Sequence, residues 1–241
     1  MSAMFEVRTY ESLGSTNDEA RHLAQAGAAH GTVVTARQQT AGRGRVGRGW
    51  VSPPGNLYLS VLLRIDRPLA RLAELSFVAA LAVADMVDAF LPPGVRAALK
   101  WPNDVLVRGA KISGILVEQV DGAAIVGIGV NIAHDPTGTP YPVTSLAREG
   151  AAIVSVEACR TSLLTALAAR LAVWLNEGFG PVRACWLARA HPLGTALRAG
   201  QVNGIFAGLG DDGALLIETA DGPRRVVGGE VFVEPTGARQ S

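Results

Sequence analysis

Gln39-Thr40-Ala41-Gly42-Arg43-Gly44-Arg45-Val46-Gly47-Arg48-Gly49-Trp50 alternates glycine with arginine, and three arginines fall within six residues. No Asp or Glu lies between Glu19 and Asp66, while that interval holds Arg21, Arg37, Arg43, Arg45, Arg48 and Arg64. The whole chain has a formal net charge of only +1, so the segment is a local electropositive feature. Glycine permits positive φ and close approach of backbone N–H groups. Arginine offers a planar, permanently charged fork to carboxylate or phosphate. The pattern predicts a mobile loop that closes over a small anion.

Gly42-x-Gly44-x-x-Gly47 also matches the dinucleotide-binding fingerprint letter for letter, and Asp66 lies roughly 20 residues beyond it, as that fingerprint asks. The fingerprint requires a helix to open at the glycines, its N-terminus facing a pyrophosphate. Here Val51-Ser52-Pro53-Pro54-Gly55 follows. Two prolines and a glycine cannot carry that helix, which argues against a doubly wound nucleotide fold. No G-x-x-x-x-G-K-[ST] run occurs either.

The flanks of the loop read as strands, Thr32 to Gln38 before it and Asn56 to Ile65 after it. Ser15-Thr16-Asn17-Asp18-Glu19 begins a helix, with Thr16 and Glu19 as a capping box and Gly27 as its C′ residue. Leu72 to Phe90 has helical apolar spacing and stops at Pro92-Pro93-Gly94. Strands follow at Ala97 to Lys100, Val105 to Val107, Ile112 to Val120 and Ala124 to Asn131. A proline-rich loop covers 133–143, Ser155 caps a long helix to Asn176, and Pro181 suits the first turn of another. Beyond Pro192, short β runs are spaced by Gly210-Asp211-Asp212-Gly213 and Ala220-Asp221-Gly222-Pro223. The expected architecture is an α/β (α+β) domain over 1–190, a mixed sheet with flanking helices. A small antiparallel β-barrel over 191–235 leans on it, and 236–241 form a disordered tail.

With 49% apolar and 18% charged residues, the chain has ample material for a core. Cys159 and Cys185 lie in apolar helical contexts and read as buried free thiols, which suits a reducing cytoplasm. No basic-then-apolar leader begins the sequence. Glu74, Asp85 and Asp88 interrupt the most apolar run, 72–91, so no membrane span is expected there. The four histidines are scattered without ligand spacing, so no structural metal site is expected.

Four further groups carry chemistry. Ser15-Thr16-Asn17 is either a helix cap or a polar patch able to read a small amide or urea group. Lys100-Trp101-Pro102-Asn103-Asp104 is either an Asx-turn with a snorkelling lysine or the start of a phosphate site at a strand end. Lys111 precedes an otherwise buried-looking strand in which Gly114 invites close approach; alone it also reads as a solvated edge lysine. Gly127-Ile128-Gly129-Val130-Asn131 leaves room for something flat, and Asn131 either opens a turn or pairs with an adenine edge.

In this order the motifs resemble the biotin–protein ligases, over nearly the whole chain. The resemblance is carried by Ser15-Thr16-Asn17, Gln39-x-x-Gly42-Arg43-Gly44-Arg45, Gly47-Arg48, Ser52-Pro53-x-Gly55-Asn56-Leu57, Lys100-Trp101-Pro102-Asn103-Asp104, Lys111-x-x-Gly114-Ile115-Leu116-Val117-Glu118 and Gly129-Val130-Asn131. The Val227-Gly228-Gly229-Glu230-Val231 stretch looks like the family's SH3-like C-terminal domain. The resemblance implies ATP-dependent activation of biotin to biotinyl-5′-adenylate, with Mg²⁺ acting mainly through the ATP phosphates. Transfer to a lysine of a biotin carboxyl carrier protein follows. It implies Ser15, Thr16, Asn17, Gln39, Gly42, Gly44 and Gly114 at biotin, shared with Arg43, Arg45 and Lys111. On the nucleotide it implies Arg48, Trp50, Asn103 and Asn131, again with Arg43, Arg45 and Lys111. Lys111 and Arg43 lead the catalytic candidates, followed by Asp104 and Lys100.

Regulatory members carry an N-terminal DNA-binding domain. Here Ser15 comes too early for one, so the single-function form without specific DNA binding is expected. Val46 stands where many relatives have another basic residue. A lipoate-type ligase of the same scaffold is the rival. A nucleic-acid-binding module is a weaker one, because a single aromatic, Trp50, accompanies the loop.

Overall fold

A computed structural model describes residues 4–152 and 154–233, so the expected tail at 236–241 lies outside the described residues. The chain runs β1 (Glu6–Leu13), α1 (Thr16–Gln25), β2 (Thr32–Gln39), β3 (Leu57–Arg64), α2 (Leu75–Phe90), β4 (Ala97–Lys100), β5 (Asp104–Val107), β6 (Ala110–Val120), β7 (Ala123–Val130), α3 (Val156–Glu177) and α4 (Phe179–Leu187). Five short strands close it: β8 (Ala196–Ala199), β9 (Val202–Leu209), β10 (Leu215–Thr219), β11 (Gly222–Val226) and β12 (Val231–Val233).

The first seven strands form one mixed sheet in the order β1-β2-β3-β7-β6-β5-β4. Only β1 and β2 pair in parallel. Their crossover is α1, as a parallel pair requires. Strand β1 escapes the sequence reading. It is an edge strand with mixed polarity and exposure, so it lacks clean alternation.

Helix α2 is buried on nearly all sides, and its alanines let it sit between the sheet and α3. Its first turn departs from the expected helix: Leu69–Glu74 is a 3₁₀ segment and the α-helix starts at Leu75. Glu74 is fully buried there, accepting a hydrogen bond from Trp174 Nε1 at 2.6 Å and pairing with Arg71 at 2.6 Å. By length and composition alone α3 could cross a bilayer. Here its Leu163, Leu167, Leu171 and Trp174 face packs into the core. Ser155 caps it as expected, accepting from Ala158 N at 3.1 Å. Cys159 is buried but Cys185 is exposed, which corrects the expectation of two buried thiols.

The last five strands form an antiparallel sheet in the order β11-β10-β9-β8-β12. Leu197, Phe206, Leu215, Ile217 and Val231 belong to the same buried cluster as Leu99, Trp101 and Trp186. Trp101 Nε1 also donates to Gly213 O at 2.9 Å. The small sheet therefore has no core of its own size and completes one with the larger unit. Ile217→Ala, which empties a fully buried site, is expected to cost about 2–5 kcal/mol. Urea unfolding followed by tryptophan fluorescence and by far-UV circular dichroism should move as one transition. Two separated transitions would mean that the units unfold independently.

Candidate active site

The Gly/Arg segment is built as a hairpin. Gln39 bridges Ser52 and Arg43 bridges Gly49, while Trp50 N donates to Gly42 O at 2.8 Å and Gly44 N to Arg48 O at 2.7 Å. At its tip, Arg45–Gly47 make one 3₁₀ turn, with Val46 at φ 54° and 86% exposed. A β-branched residue in that left-handed region is unusual, so the tip holds local strain. Gly42 has a steric reason to lack a side chain: a Cβ there would meet Trp50 O and, at 2.9 Å, Gln39 Nε2.

The hairpin lies across strands β6 and β7 and the start of α1. Together these line a cleft with only about 50 Å³ of free space. Ser15, Thr16, Asn17, Gln39, Arg43, Gly44, Arg45, Arg48, Trp50, Asn103, Lys111 and Gly114 all line it. The glycines of β6 and β7 do leave room for flat groups, and residues of the chain itself fill that room. A Cβ on Gly129 would come within 2.5 Å of the Trp50 indole, and one on Gly114 within 3.1 Å of the same ring. A Cβ on Gly127 would strike the Asn17 amide.

The expected capping box at the start of α1 is absent. Ser15 is the N-cap without a side-chain cap bond. Thr16 N and Oγ1 instead donate to Gln39 Oε1 at 2.8 and 3.2 Å, while Gln39 Nε2 donates to Ser52 Oγ at 2.8 Å. The Ser60 hydroxyl lies 2.5 Å from Asn17 Oδ1 and 2.8 Å from Thr16 Oγ1. Asn17 Nδ2 donates to Glu118 Oε2 at 2.8 Å. Buried polar groups need such partners, and this mesh joins Thr16 and Asn17 to Gln39 and Ser52 at the base of the Gly/Arg hairpin.

The three loop arginines have different electrostatic surroundings. Arg43 donates to both oxygens of Glu118, at 3.0 and 2.9 Å, and to Asp18 at 2.6 Å. Hydrogen bonding to Glu118 leads the causes that raise the Arg43 pKa. Arg48 pairs with Glu230 of the small sheet. Arg45 reaches only Asn103 Oδ1, at 3.3 Å, and has no carboxylate partner among the described residues. Burial lowers its pKa, partly opposed by the charge of Asp104. Arg45 thus carries the least compensated charge of the three.

Lys111 Nζ lies 2.6 Å from Asp104 Oδ1, and its side chain is only 11% exposed. A register shift between β5 and β6 accompanies this pairing: Val105 faces Ser113 but Leu106 faces Lys111. Asn103 ties its turn to β6, donating from Nδ2 to Ile115 O at 2.7 Å.

Four candidates are not in the cleft lining: Gly42 at the base of the hairpin, Asp104 behind Lys111, Lys100 and Asn131. Lys100 places its ammonium 5.6 Å from the centroid of the Phe232 ring, and burial lowers its pKa. Asn131 is buried, donates to Thr144 O at 3.0 Å, and lines a neighbouring hollow with Trp50, Lys111 and Tyr141. Sequence reasoning overlooked Glu118, Ser60 and Tyr141 as site residues. Glu118 and Ser60 left a signal: Glu118 directly follows the apolar run Ile115-Leu116-Val117, and Ser60 lies between Leu59 and Val61. Tyr141, in an irregular loop, left none. A second cleft, of about 310 Å³, opens beside the first and shares Arg45, Asn103, Ile115 and Leu116 with it.

Residues 10–135 match the model of the biotin/lipoate A/B protein ligase family, and residues 195–233 match the biotin protein ligase C-terminal domain. A biotin–[acetyl-CoA-carboxylase] ligase of Paracoccus denitrificans is 41% identical over 237 residues, 90% of this chain and 96% of that protein. Another, of Mycobacterium tuberculosis, is 38% identical over 223 residues, 89% of this chain and 83% of that protein. The fold superposes on the biotin protein ligase of Aquifex aeolicus in complex with biotin and ATP with a TM-score of 0.82. That match has 27% identity and covers 95% of this chain and 98% of the other. The motifs, the paired sheets and these matches converge: the chain belongs to the biotin–[acetyl-CoA-carboxylase] ligases of the biotin/lipoate A/B protein ligase family.

Proposed function

We propose that this protein joins biotin to ATP as biotinyl-5′-adenylate and passes the biotinyl group to a lysine of a biotin carboxyl carrier protein. The observation that carries this reading is the cleft itself. It places Arg45 and Lys111 beside a buried amide-and-hydroxyl mesh suited to a urea ring.

In the first step biotin's carboxylate attacks the α-phosphorus of ATP, forming the acyl–phosphate bond and expelling pyrophosphate. Both reactants are anions, so cations must hold them together in the transition state. Lys111, steadied by Asp104, supplies a point charge, and Arg45 a fork; such charge-assisted bonds contribute about 1.5–3 kcal/mol each. Thr16, Asn17 and Gln39 would hold the biotin end and Trp50 the adenylate. No side-chain nucleophile is needed, because orientation carries much of the step. No group of three His, Cys, Asp or Glu side chains placed to hold a metal ion occurs among the described residues. Mg²⁺ would enter with the polyphosphate, whose charge it would spread. In the second step the acceptor lysine attacks the acyl carbon and AMP leaves.

We place the catalytic unit at 1–190 and the SH3-like unit at 191–235. Free Cys159 and Cys185 support a cytoplasmic, reducing setting.

Mixing the purified chain with biotin and Mg·ATP should yield bound biotinyl-adenylate by native mass spectrometry and release pyrophosphate. Release with lipoate but not biotin would sink the reading. Lys111→Ala should nearly abolish pyrophosphate release in a single turnover, with Lys111→Arg retaining some. Near-normal release from Lys111→Ala would move the assignment away from this residue.

Arg43→Ala should speed escape of the adenylate, because the hairpin loses its tie to Glu118 and Asp18. It should also change the acid response. Burial alone would raise the Glu118 pKa, but hydrogen bonds from Arg43 and Asn17 bring it below its ordinary 4.5. A depressed carboxylate contributes stability above its unfolded pKa and loses it as pH falls through the folded value. The stability gap between wild type and Arg43→Ala should therefore be widest near neutrality and close below about pH 4. Urea midpoints across pH would measure it, and a pH-independent gap would remove Glu118 from the explanation.

A further inference from the structure

The Lys111 ammonium has two aromatic neighbours besides Asp104. Its Nζ lies 5.6 Å from the centroid of the Trp50 ring and 5.4 Å from that of Tyr141. Both distances are within the range of cation–π attraction. An ion pair with Asp104 sets a distance, but a lysine on a flexible four-carbon stem retains freedom of direction. Two ring faces restrict that freedom.

Tyr141 is fixed to Lys111 through the lysine's own backbone. Lys111 N donates to Pro142 O at 2.9 Å, and Thr144 N donates to Lys111 O at 2.9 Å. These bonds lock the 142–144 segment alongside residue 111, with Lys111 bridging Val143. Pro140 and Pro142 bracket the tyrosine. A proline fixes its own φ and pushes the preceding residue into an extended conformation. Thr139 Oγ1 adds a bond to Tyr141 O at 2.7 Å. Trp50, by contrast, sits at the end of the Gly/Arg hairpin, so the two rings reach the ammonium from separate loops.

We propose that Tyr141 is a positioning residue for adenylate formation: its ring face holds the Lys111 ammonium in line for the reacting anions. The proposal rests on the ligase reading above. It assigns the effect to the ring and not to the hydroxyl, which makes it separable from a role in ligand binding.

The chain offers a clean test, because Lys100 and Lys111 are its only lysines. Protein labelled with ¹⁵N-lysine has two side-chain ammonium signals, which Lys100→Arg assigns. In the ligand-free protein, ring currents should shift the Lys111 signal upfield. Tyr141→Phe should keep the contribution of the second ring, and Tyr141→Leu should lose it. Tyr141 is only half-buried, so the leucine variant should keep the wild-type thermal midpoint; Tyr141→Met serves as a second ring-free variant. In pyrophosphate release from biotin and Mg·ATP, Tyr141→Leu should lower kcat about 3- to 30-fold with KM nearly unchanged. Tyr141→Phe should stay near wild type. Wild-type kcat in both ring-free variants, an equal loss in Tyr141→Phe, or a loss confined to KM would each overturn the assignment. An unchanged Lys111 signal in Tyr141→Leu would do the same. A wild-type protein that releases no pyrophosphate overturns the ligase reading itself, and the lysine signal still shows whether the ring contact exists.

Discussion

Arg43, Arg45, Arg48 and Lys111 line one narrow cleft, and their mutual repulsion is the constraint the surrounding structure answers. Like charges brought together in a partly dry space are unfavourable unless carboxylates lie close by. The protein supplies those carboxylates unequally. Glu118 and Asp18 hold Arg43, Glu230 holds Arg48, and Asp104 holds Lys111. Arg45 has only an amide oxygen. The cleft thus stays electropositive around Arg45, without leaving every cation free to repel its neighbours.

Each carboxylate comes from a different part of the fold, so charge balance and architecture are linked. Glu118 lies on β6, Asp18 on α1, Asp104 at the start of β5 and Glu230 just before β12. Three of them hold the hairpin through Arg43 and Arg48, and the fourth holds Lys111 beneath it. Glu230 extends this dependence to the small sheet, which already shares its apolar core with the large one. Lys100 lies at the same junction, its ammonium over Phe232 of β12.

The glycines of β6 and β7 serve the site by being empty. At Gly129 and Gly114 the missing side chain makes space for the Trp50 indole, and at Gly127 for the Asn17 amide. The strand floor and the loop over it are therefore complementary surfaces. Among the described residues the buried Trp50 Nε1 has no hydrogen-bond partner. Buried donors left unpaired are costly.

Much of this was legible from sequence, because it depends on local chemistry. Hydrophobic spacing marks most of the strands and the long helices within a few residues, and Pro53-Pro54-Gly55 rules out a helix after the Gly/Arg run. The order of motifs identifies the family and most of the cleft lining. The tertiary structure decided what spacing cannot encode. Polar, exposed β1 becomes a strand only by pairing in parallel with β2. Thr16 leaves its capping role because Gln39 is closer to hand. Of three similar arginines, only packing against Glu118, Asn103 and Glu230 distinguishes their charges. Tyr141, unremarkable in a proline-rich loop, reaches Lys111 because backbone bonds join segments 30 residues apart in the chain. Sequence determines which groups are available, and long-range pairing determines which of them meet.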